Sequence, residues 1–370
     1  MYRIYHFNKI LIIISLLNYL RMEKQMNSNY LTLFKAPKID LHLHLQGAAN
    51  MHVFSHLVNI NKHTVINQIL NDDFLYERYS KNNEIQEFLE SGKLALNFSF
   101  LTINDFFAMY RFMCLFIRCK KDLYLYIKGV IINLINQNII YSDIIISLPE
   151  LLEQNIKIDE IINVLNEFKD IKDIKINWWI DLVRHNGNKK CLTMLEKIIK
   201  HDSDHIIYGI NLGGKESSYA LNEFSELFKL ANDNNLKINI HDGEIKSVDN
   251  NYYYKKYGIS RIAHGLNYIQ KGNVHNLSIE VCLTSNVNTK IINSVYEHPL
   301  FESRKNTNNI CICTDDPTLF QTNLALELLY VLEFYNKDVL IKIITNSLEA
   351  SGLNYKKRYK IIKWYIDNIK

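Results

Sequence analysis

The run Ile139-Ile-Tyr-Ser-Asp-Ile-Ile-Ile146 is apolar along most of its length and directly follows a helical pattern at Tyr124–Gln137. A strand with one face in water alternates apolar and polar residues, whereas a strand buried on both faces is apolar nearly throughout. The run therefore predicts a strand in a parallel sheet whose two faces are both covered.

Similar short apolar runs recur from residue 35 onward, and helical patterns separate most of them. The other predicted strands are Ile39–Leu43, Ile176–Leu182, Ile206–Asn211, Lys237–Ile240, Arg261–Ala263, Ile279–Leu283 and Ile310–Cys313. The other predicted crossover helices are Ile158–Phe168, Leu192–Lys200, Ala220–Asn234 and Ile245–Tyr257. Eight strands joined by helices predict an α/β fold of the (β/α)₈ or TIM-barrel type, with an open doubly wound sheet as the alternative.

Two groups of helices are additional to the barrel repeat. The segment between the first two strands carries helical patterns at His52–Leu70, Glu84–Gly92 and Asn104–Cys119. An insertion at this point of a barrel lies at the catalytic face, where it can cover a pocket. Three more helices are predicted after the last strand, at Asn323–Tyr335, Asp338–Ala350 and Tyr355–Ile369. We expect residues 31–370 to form one domain.

Residues 1–30 are an N-terminal extension of uncertain status. Lys9–Leu20 is apolar but too short to cross a membrane as a helix, and no small-residue cleavage site follows it. We expect a dispensable or misassigned extension, with Met22 or Met26 as the true start. A signal peptide or anchor and a packed helix are the alternatives.

Composition argues against several classes of protein. Lys and Arg exceed Asp and Glu by 43 − 39 = 4 dispersed charges, which predicts neither a nucleic-acid partner nor stable membrane association. The six cysteines include no Cys-x-x-Cys pair, which favours reduced thiols in a cytoplasmic protein. The apolar N-terminal stretch keeps a secreted or anchored form open, and no pattern indicates an oligomeric state.

Polar side chains gather where four of the predicted strands end. The carboxyl ends of barrel strands meet on one face, which holds the active site. Imidazoles and a carboxylate on one rim are the ligands that a divalent transition metal such as zinc prefers. These residues are His42 and His44 after the first strand, His241 and Glu244 after the fifth, His264 after the sixth, and Asp315 and Asp316 after the eighth.

Each of these features has an ordinary structural explanation when it is taken singly. A His-x-His pair in a strand is often structural, and His264 alone would fit a hydrogen-bonded core residue. Asp315 and Asp316 would suit a helix cap and turn before Pro317. Their joint position at the ends of four strands is what favours a metal centre.

At this point the residues resemble the adenosine deaminase family over about residues 35–335. The order and spacing of several motifs agree with that family. The motifs are Leu41-His-Leu-His-Leu-Gln-Gly-Ala48, His241-Asp-Gly-Glu244, Arg261-Ile-Ala-His-Gly265, Glu280-Val-Cys-Leu-Thr-Ser-Asn286, His298-Pro299 and Cys313-Thr-Asp-Asp-Pro317.

The resemblance implies a role for each matching residue. One zinc ion per chain would be held by His42, His44, His241 and Asp315. Glu244 would protonate the purine ring nitrogen beside the amino-bearing carbon, and His264 would orient the attacking hydroxide. Contacts with the purine nucleoside would come from Gln46, Gly214 and Asp316, with Gly214 using its backbone N–H.

General chemistry agrees with these implied roles. Zinc lowers the pKa of a bound water molecule from about 15.7 to about 7. Addition to C6 places electrons on the neighbouring ring nitrogen, so a carboxyl held protonated by its surroundings would stabilise that charge. His264 and Asp315 would move protons so that ammonia leaves. The implied reaction is hydrolysis of a carbon–nitrogen bond in a cyclic amidine, most simply adenosine to inosine.

Three positions depart from the family pattern. Gln46 stands where the family usually has an acid that contacts the ribose 5′-hydroxyl. Its neutral amide would tolerate a modified 5′ substituent. Asp242 replaces the usual alanine, and Asn211 replaces the usual acid before the Gly-Gly pair. These departures leave adenine, N6-methyl-AMP or a 5′-modified adenosine as alternative substrates.

Other motifs are weaker. Gly209-Ile-Asn-Leu-Gly-Gly-Lys-Glu216 is nearly a phosphate-binding loop, but Glu216 stands where the magnesium-binding Ser or Thr belongs. His52-x-x-x-His56 lacks the glutamate of a zinc-protease helix. Two rival functions remain, a metallohydrolase of the same fold acting on an amide or ester and a catalytically inactive binding protein.

Overall fold

The computed structural model describes residues 28–94, 98, 100, 102–214, 216, 219–245, 250–271, 277–302 and 307–369. The apolar stretch Lys9–Leu20 and the alternative start residues lie outside these ranges. The described part of the extension begins with helix α1, Ser28–Lys35, which buries Tyr30 and Leu33. The domain boundary near residue 30 stays a prediction.

Eight parallel strands form a nearly closed barrel, so the predicted fold class is confirmed. The strands follow one another around the sheet in chain order, and that order excludes a doubly wound sheet, whose strand order reverses. They are β1 Lys38–His44, β2 Ile139–Ser147, β3 Lys175–Asp181, β4 Ile207–Leu212, β5 Lys237–Asp242, β6 Arg261–His264, β7 Ser278–Val281 and β8 Ile310–Ile312.

The barrel closes between β8 and β1 through a short seam. Leu43 and Asp315 form an isolated parallel bridge. The His44 N–H donates to the Asp315 carbonyl at 2.8 Å, and the Asp315 N–H donates to the His42 carbonyl at 2.9 Å. The seam thus places the end of β1 directly beside the segment that follows β8.

Helices cover the outside of the barrel between the strands, as expected. The predicted helix Ile245–Tyr257 begins only at Asn251 in the described residues. The predicted helix Ala220–Asn234 starts as a 3₁₀ turn at Leu221–Phe224. The helices after β2 are α7 Leu148–Glu153, α8 Ile158–Asn166, α9 Gly187–His201, α10 Ser225–Asp233, α11 Asn251–Tyr257, α12 Leu266–Lys271, α13 Leu283–Asn288 and α14 Pro299–Glu302.

The insertion after β1 is helical and reaches over the carboxyl ends of the strands. The Phe106 ring stacks on Phe320, with ring centroids 4.9 Å apart, and the Tyr110 ring lies 6.2 Å from His44. The predicted helix Asn104–Cys119 ends at Cys114, because the next three residues make tighter i to i−3 hydrogen bonds. The helices are α2 Met51–Leu70, α3 Asp73–Tyr79, α4 Asn83–Ser91, α5 Ile103–Cys114 and α6 Lys120–Asn136.

Three helices follow the last strand and complete the domain. They are α15 Leu324–Phe334, α16 Lys337–Ala350 and α17 Tyr355–Asn368. Helix α15 packs on α1, while α16 packs on β8 and β1 and so covers the seam. Among the described helices, none has the length and apolar character needed to span a bilayer.

Candidate active site and metal centre

The four predicted metal ligands meet at one point on the carboxyl face of the barrel. One ligand atom from each of His42, His44, His241 and Asp315 lies within 4.8 Å of all the others. The two β1 histidines share a side of the strand because alternate residues point the same way. The Nε2 atoms of His42 and His44 each lie 3.4 Å from Asp315 Oδ1.

Buried polar atoms in this cluster fit a divalent metal. His42 is fully buried, and its Nε2 atom has no hydrogen-bond partner among the described residues. Leaving such an atom unpaired is costly unless a ligand occupies it. Three imidazoles and one carboxylate form the mixed nitrogen and oxygen donor set that zinc accepts. These residues therefore fit a zinc ion.

Two of the three imidazoles are neutral and can bind a cation directly, whereas His42 would first release a proton. Burial alone lowers the pKa of His42, but the carboxylates of Asp315 and Glu280 outweigh it and raise that pKa to about 10. Burial lowers the pKa of His44 to about 3. Burial also holds the pKa of His241 well below its usual value, so His44 and His241 are neutral and free to bind metal.

Asp315 has a strained backbone conformation, and its side chain is held by a hydrogen bond. Its φ is +64°, a left-handed value that non-glycine residues rarely adopt and that often occurs at functional sites. The Ser285 hydroxyl donates to Asp315 Oδ2 at 2.7 Å. Burial alone raises the Asp315 pKa, but the surrounding histidines outweigh it and keep that pKa well below its usual value.

A chain of buried charges orients His42, and the sequence analysis assigned no role to its members. His42 Nδ1 donates to Glu280 Oε2 at 2.8 Å, and the Asn239 amide donates to the same oxygen at 2.7 Å. Arg261 Nε lies 2.8 Å from Glu280 Oε1, and Arg261 donates to Asp143 at 2.6 Å. Because the Nδ1 atom is used in this way, Nε2 is the atom that faces the cluster.

Two residues that depart from the family pattern lie beside His241. The Asn211 amide nitrogen is 3.3 Å from His241 Nδ1 and donates to Asp181 at 2.7 Å. Asp242 points away into a cradle of three donors. Its Oδ2 accepts from Asn250 at 2.7 Å, from Tyr254 at 2.5 Å and from Tyr268 at 3.2 Å. These bonds tie the end of β5 to α11 and α12.

The predicted acid and the predicted orienting histidine lie side by side. Glu244 Oε1 is 3.8 Å from His264 Nδ1. Burial, with a further contribution from Asp315, raises the pKa of Glu244 to about 8, so the carboxyl holds a proton at neutral pH. Burial lowers the pKa of His264 to about 4, which keeps its imidazole neutral. The Asn286 amide lies 3.2 Å from His264 Nδ1.

The three predicted substrate-binding residues lie in different surroundings. Gln46 is fully buried, and its side-chain amide forms hydrogen bonds within the protein. Gln46 Nε2 donates to the Ser147 carbonyl at 3.3 Å, and its Oε1 accepts from Ser147 N and Tyr110 Oη, both at 3.2 Å. Gly214 has a φ of +87°.

Asp316 is buried, with no partner for its Oδ1 atom among the described residues. Burial, together with Asp315, raises the pKa of Asp316 well above its usual value. A Cβ atom at position 47 would lie 1.7 Å from Asp316 Oδ1, so only glycine fits there. Gly47 thus lets the Asp316 carboxyl approach the end of β1.

The fold and the site together define a class of protein. A (β/α)₈ barrel that carries three histidines and an aspartate at its strand ends, with a protonated carboxyl beside them, is the arrangement of a metal-dependent hydrolase. The chain belongs to the adenosine deaminase family, since the family model described as adenosine deaminase matches residues 37–368. It is therefore a hydrolase of carbon–nitrogen bonds in cyclic amidines.

Curated relatives cover most of this chain at low identity. An adenosine deaminase of Clostridium perfringens is 24% identical over 352 residues, which are 90% of this chain and 98% of the relative. An adenine deaminase of Psychrobacter cryohalolentis is 23% identical over 340 residues, covering 86% of this chain and 93% of the relative.

Solved structures share the fold. The adenine deaminase of Arthrobacter aurescens has a TM-score of 0.72 at 16% identity, covering 90% of this chain and 98% of its own. The N6-methyl-AMP deaminase of Arabidopsis has a TM-score of 0.70 at 16% identity, covering 90% and 99%. An amidohydrolase of Burkholderia ambifaria with bound zinc has a TM-score of 0.70 at 13% identity, covering 94% of each chain.

Proposed function

We propose that this protein is a zinc-dependent deaminase of 6-aminopurine nucleosides that converts adenosine and water to inosine and ammonia. The observation that carries the proposal is the position of the buried Glu244 carboxyl. It lies 3.8 Å from His264, beside the cluster of His42, His44, His241 and Asp315. Acid, orienting imidazole and metal ligands are the groups that hydrolytic deamination needs in one place.

The chain's own residues divide the proton transfers between them. Glu244 donates its proton to the ring nitrogen next to C6 as water adds to that carbon, which neutralises the charge that develops on the ring. His264 orients the incoming water and, with Asp315, moves a proton to the departing amine. The C6–N bond then breaks and ammonia leaves. A zinc ion at the four ligands supplies Lewis acidity that makes water nucleophilic at neutral pH.

The substrate proposal rests on the relatives and on the buried acids. The curated relatives are named adenosine deaminase or adenine deaminase, and the Arabidopsis neighbour acts on N6-methyl-AMP. Structures of an Arabidopsis protein named ADAL hold GMP or IMP, which are purine nucleotides. The buried Asp316 carboxyl, whose pKa is raised well above its usual value by burial and by Asp315, would contact a purine ring nitrogen.

A parallel assay of six compounds tests this function. Purified, zinc-loaded protein would be incubated separately with six compounds. These are adenosine, adenine, AMP, N6-methyl-AMP, 5′-deoxyadenosine and a simple ester. The expected result is a hypoxanthine-containing product released together with ammonia, or with methylamine from N6-methyl-AMP, and formed fastest from adenosine. The Glu244→Gln variant serves as the control, because it should lose about 10²–10⁴-fold in kcat while it retains the metal.

Other outcomes of this assay separate the alternatives. Preference for adenine, N6-methyl-AMP or 5′-deoxyadenosine would replace adenosine by that related substrate. Hydrolysis of the simple ester alone would favour a different metallohydrolase on the same fold. Tight purine binding without product would favour a binding protein that lacks catalysis.

A further inference from the structure

The turn that carries Glu244 is held by a carboxylate from another loop. Glu216 follows β4, and its two oxygens accept hydrogen bonds from the backbone on both sides of Glu244. Gly243 N donates to Glu216 Oε2 at 2.8 Å, and Ile245 N donates to Glu216 Oε1 at 2.6 Å. Glu244 is thus the residue between the two bonded amides.

The same turn is fixed from its other side. The Gly243 carbonyl accepts from Asn267 N at 2.9 Å and from Asn267 Nδ2 at 2.8 Å. Gly243 has a φ of +71°, and a Cβ atom there would lie 2.6 Å from the Tyr268 ring. The backbone on both sides of Glu244 is therefore bound at three points, by Glu216 from the loop after β4 and by Asn267 from α12, and the turn has little freedom to rotate.

Glu216 is buried, with 8% of its surface exposed. Burying a carboxylate is costly unless its oxygens are hydrogen-bonded, and here each oxygen accepts from a backbone amide of the Glu244 turn. The Glu244 carboxyl must lie within hydrogen-bond reach of the ring nitrogen, and a displacement of about 1 Å can reduce a rate about 10²-fold. A rigid support for the turn therefore affects the reaction directly.

We propose that Glu216 is a positioning residue that holds the Gly243–Ile245 turn, and with it the Glu244 carboxyl, in the orientation required for proton donation. The proposal rests on the proposed role of Glu244 as the acid. It also explains why a glutamate stands at the end of the glycine-rich segment after β4, where a phosphate-binding loop would need a hydroxyl.

A double-mutant cycle between Glu216 and Glu244 tests the proposal. In Glu216→Gln, one oxygen becomes an NH₂ group that faces a backbone N–H, so one of the two bonds is lost. We expect kcat with the best substrate to fall about 10–100-fold, KM to change less than about 3-fold and zinc content to stay unchanged. In the Glu244→Gln background the same substitution should change kcat less than about 2-fold.

Glu223→Gln is the matched control, because Glu223 lies on the same connection and also accepts from a backbone N–H, that of Ala220 at 2.8 Å. Its kcat should equal that of the wild type. A general loss of structure would lower kcat in both backgrounds and reduce zinc content. Equal losses in the two backgrounds, or no loss in Glu216→Gln, would overturn the proposal. Glu216→Asp, which is one methylene shorter, gives a second variant.

Hydrogen exchange separates failure of this proposal from failure of the proposed function. The backbone amides of Gly243 and Ile245 should exchange at least about 10-fold faster in Glu216→Gln than in the wild type, with or without substrate. Unchanged exchange rates at these two amides overturn the positioning role of Glu216 even if the wild type deaminates adenosine. A wild type that releases no ammonia from any 6-aminopurine refutes the proposed function, while the exchange rates still decide the role of Glu216.

Discussion

Glu244 must be protonated before it can donate a proton, and its buried surroundings favour the protonated form. Burial, helped by Asp315, raises its pKa to about 8. Below that value the carboxyl is protonated and can donate, and above it the carboxyl is charged and cannot. We therefore expect kcat to fall as pH rises through about 8, measured from pH 6 to pH 10 with zinc content checked at each end. A kcat that stays level over the upper half of this range would contradict the role of Glu244.

Glu280 would act on a bound metal through His42, since it accepts from His42 Nδ1 at 2.8 Å. Substitution of a residue that accepts a hydrogen bond from a metal-binding histidine weakens metal binding about 10–100-fold. We expect this loss of zinc affinity in Glu280→Gln, measured by competition with a zinc-binding dye. Glu327→Gln is the control, because Glu327 is equally buried but bonds to Thr322 and Thr284 instead of a ligand. Equal zinc affinities in the two variants would exclude the positioning of His42 by Glu280.

Residues at strand ends could be predicted from sequence, whereas their supporting partners could not. His42 and His44 follow a strand signal, so their common direction is a consequence of strand geometry. Glu280 lies in a predicted strand and Glu216 ends a glycine-rich segment, but neither pattern indicated which residue it supports, because the partners lie far away along the chain and only the closed barrel brings them together. The strained φ of Asp315 is likewise a product of the seam.

Among the elements, β1 and β2 are joined at their carboxyl ends by Gln46. Its amide both donates to and accepts from the Ser147 backbone. Gln46→Ala leaves a buried N–H and carbonyl without partners, which costs about 1–3 kcal/mol each. We expect a lower free energy of unfolding, measured by urea titration, with little change in KM for adenosine. A large increase in KM with unchanged stability would instead place the Gln46 amide on the substrate.

Strands could be predicted more closely than the helices of this fold. All eight strand positions agree to within one or two residues, because strands buried on both faces are apolar in unbroken runs. The predicted strand Ile279–Leu283 ends early at Val281, since Leu283 already begins α13. The short helices α1, α3, α7, α12, α13 and α14 were not predicted, because four to eight residues hold too little periodicity to detect.

In the whole molecule, three of the proposed metal ligands lie on the two sides of the seam at which the barrel closes. His42 and His44 lie on β1 and Asp315 follows β8, where few backbone bonds join the two strands. A ligand that binds only the folded state stabilises it, by about 4 kcal/mol when its free concentration is 1,000 times Kd. We expect a chelator to lower Tm by scanning calorimetry, and zinc to restore it. A chelator already saturated with zinc is the control, and equal Tm values would show that the seam closes without metal.

A zinc titration of the metal-free protein tests whether one metal ion at these four side chains is required for deamination. Ammonia release from the best 6-aminopurine would be measured as zinc is added in fractions of an equivalent. The predicted result is a linear rise that ends at one zinc per chain in the wild type, and no activity at any zinc level in His241→Ala. Full activity without metal, or a normal titration in His241→Ala, would contradict it.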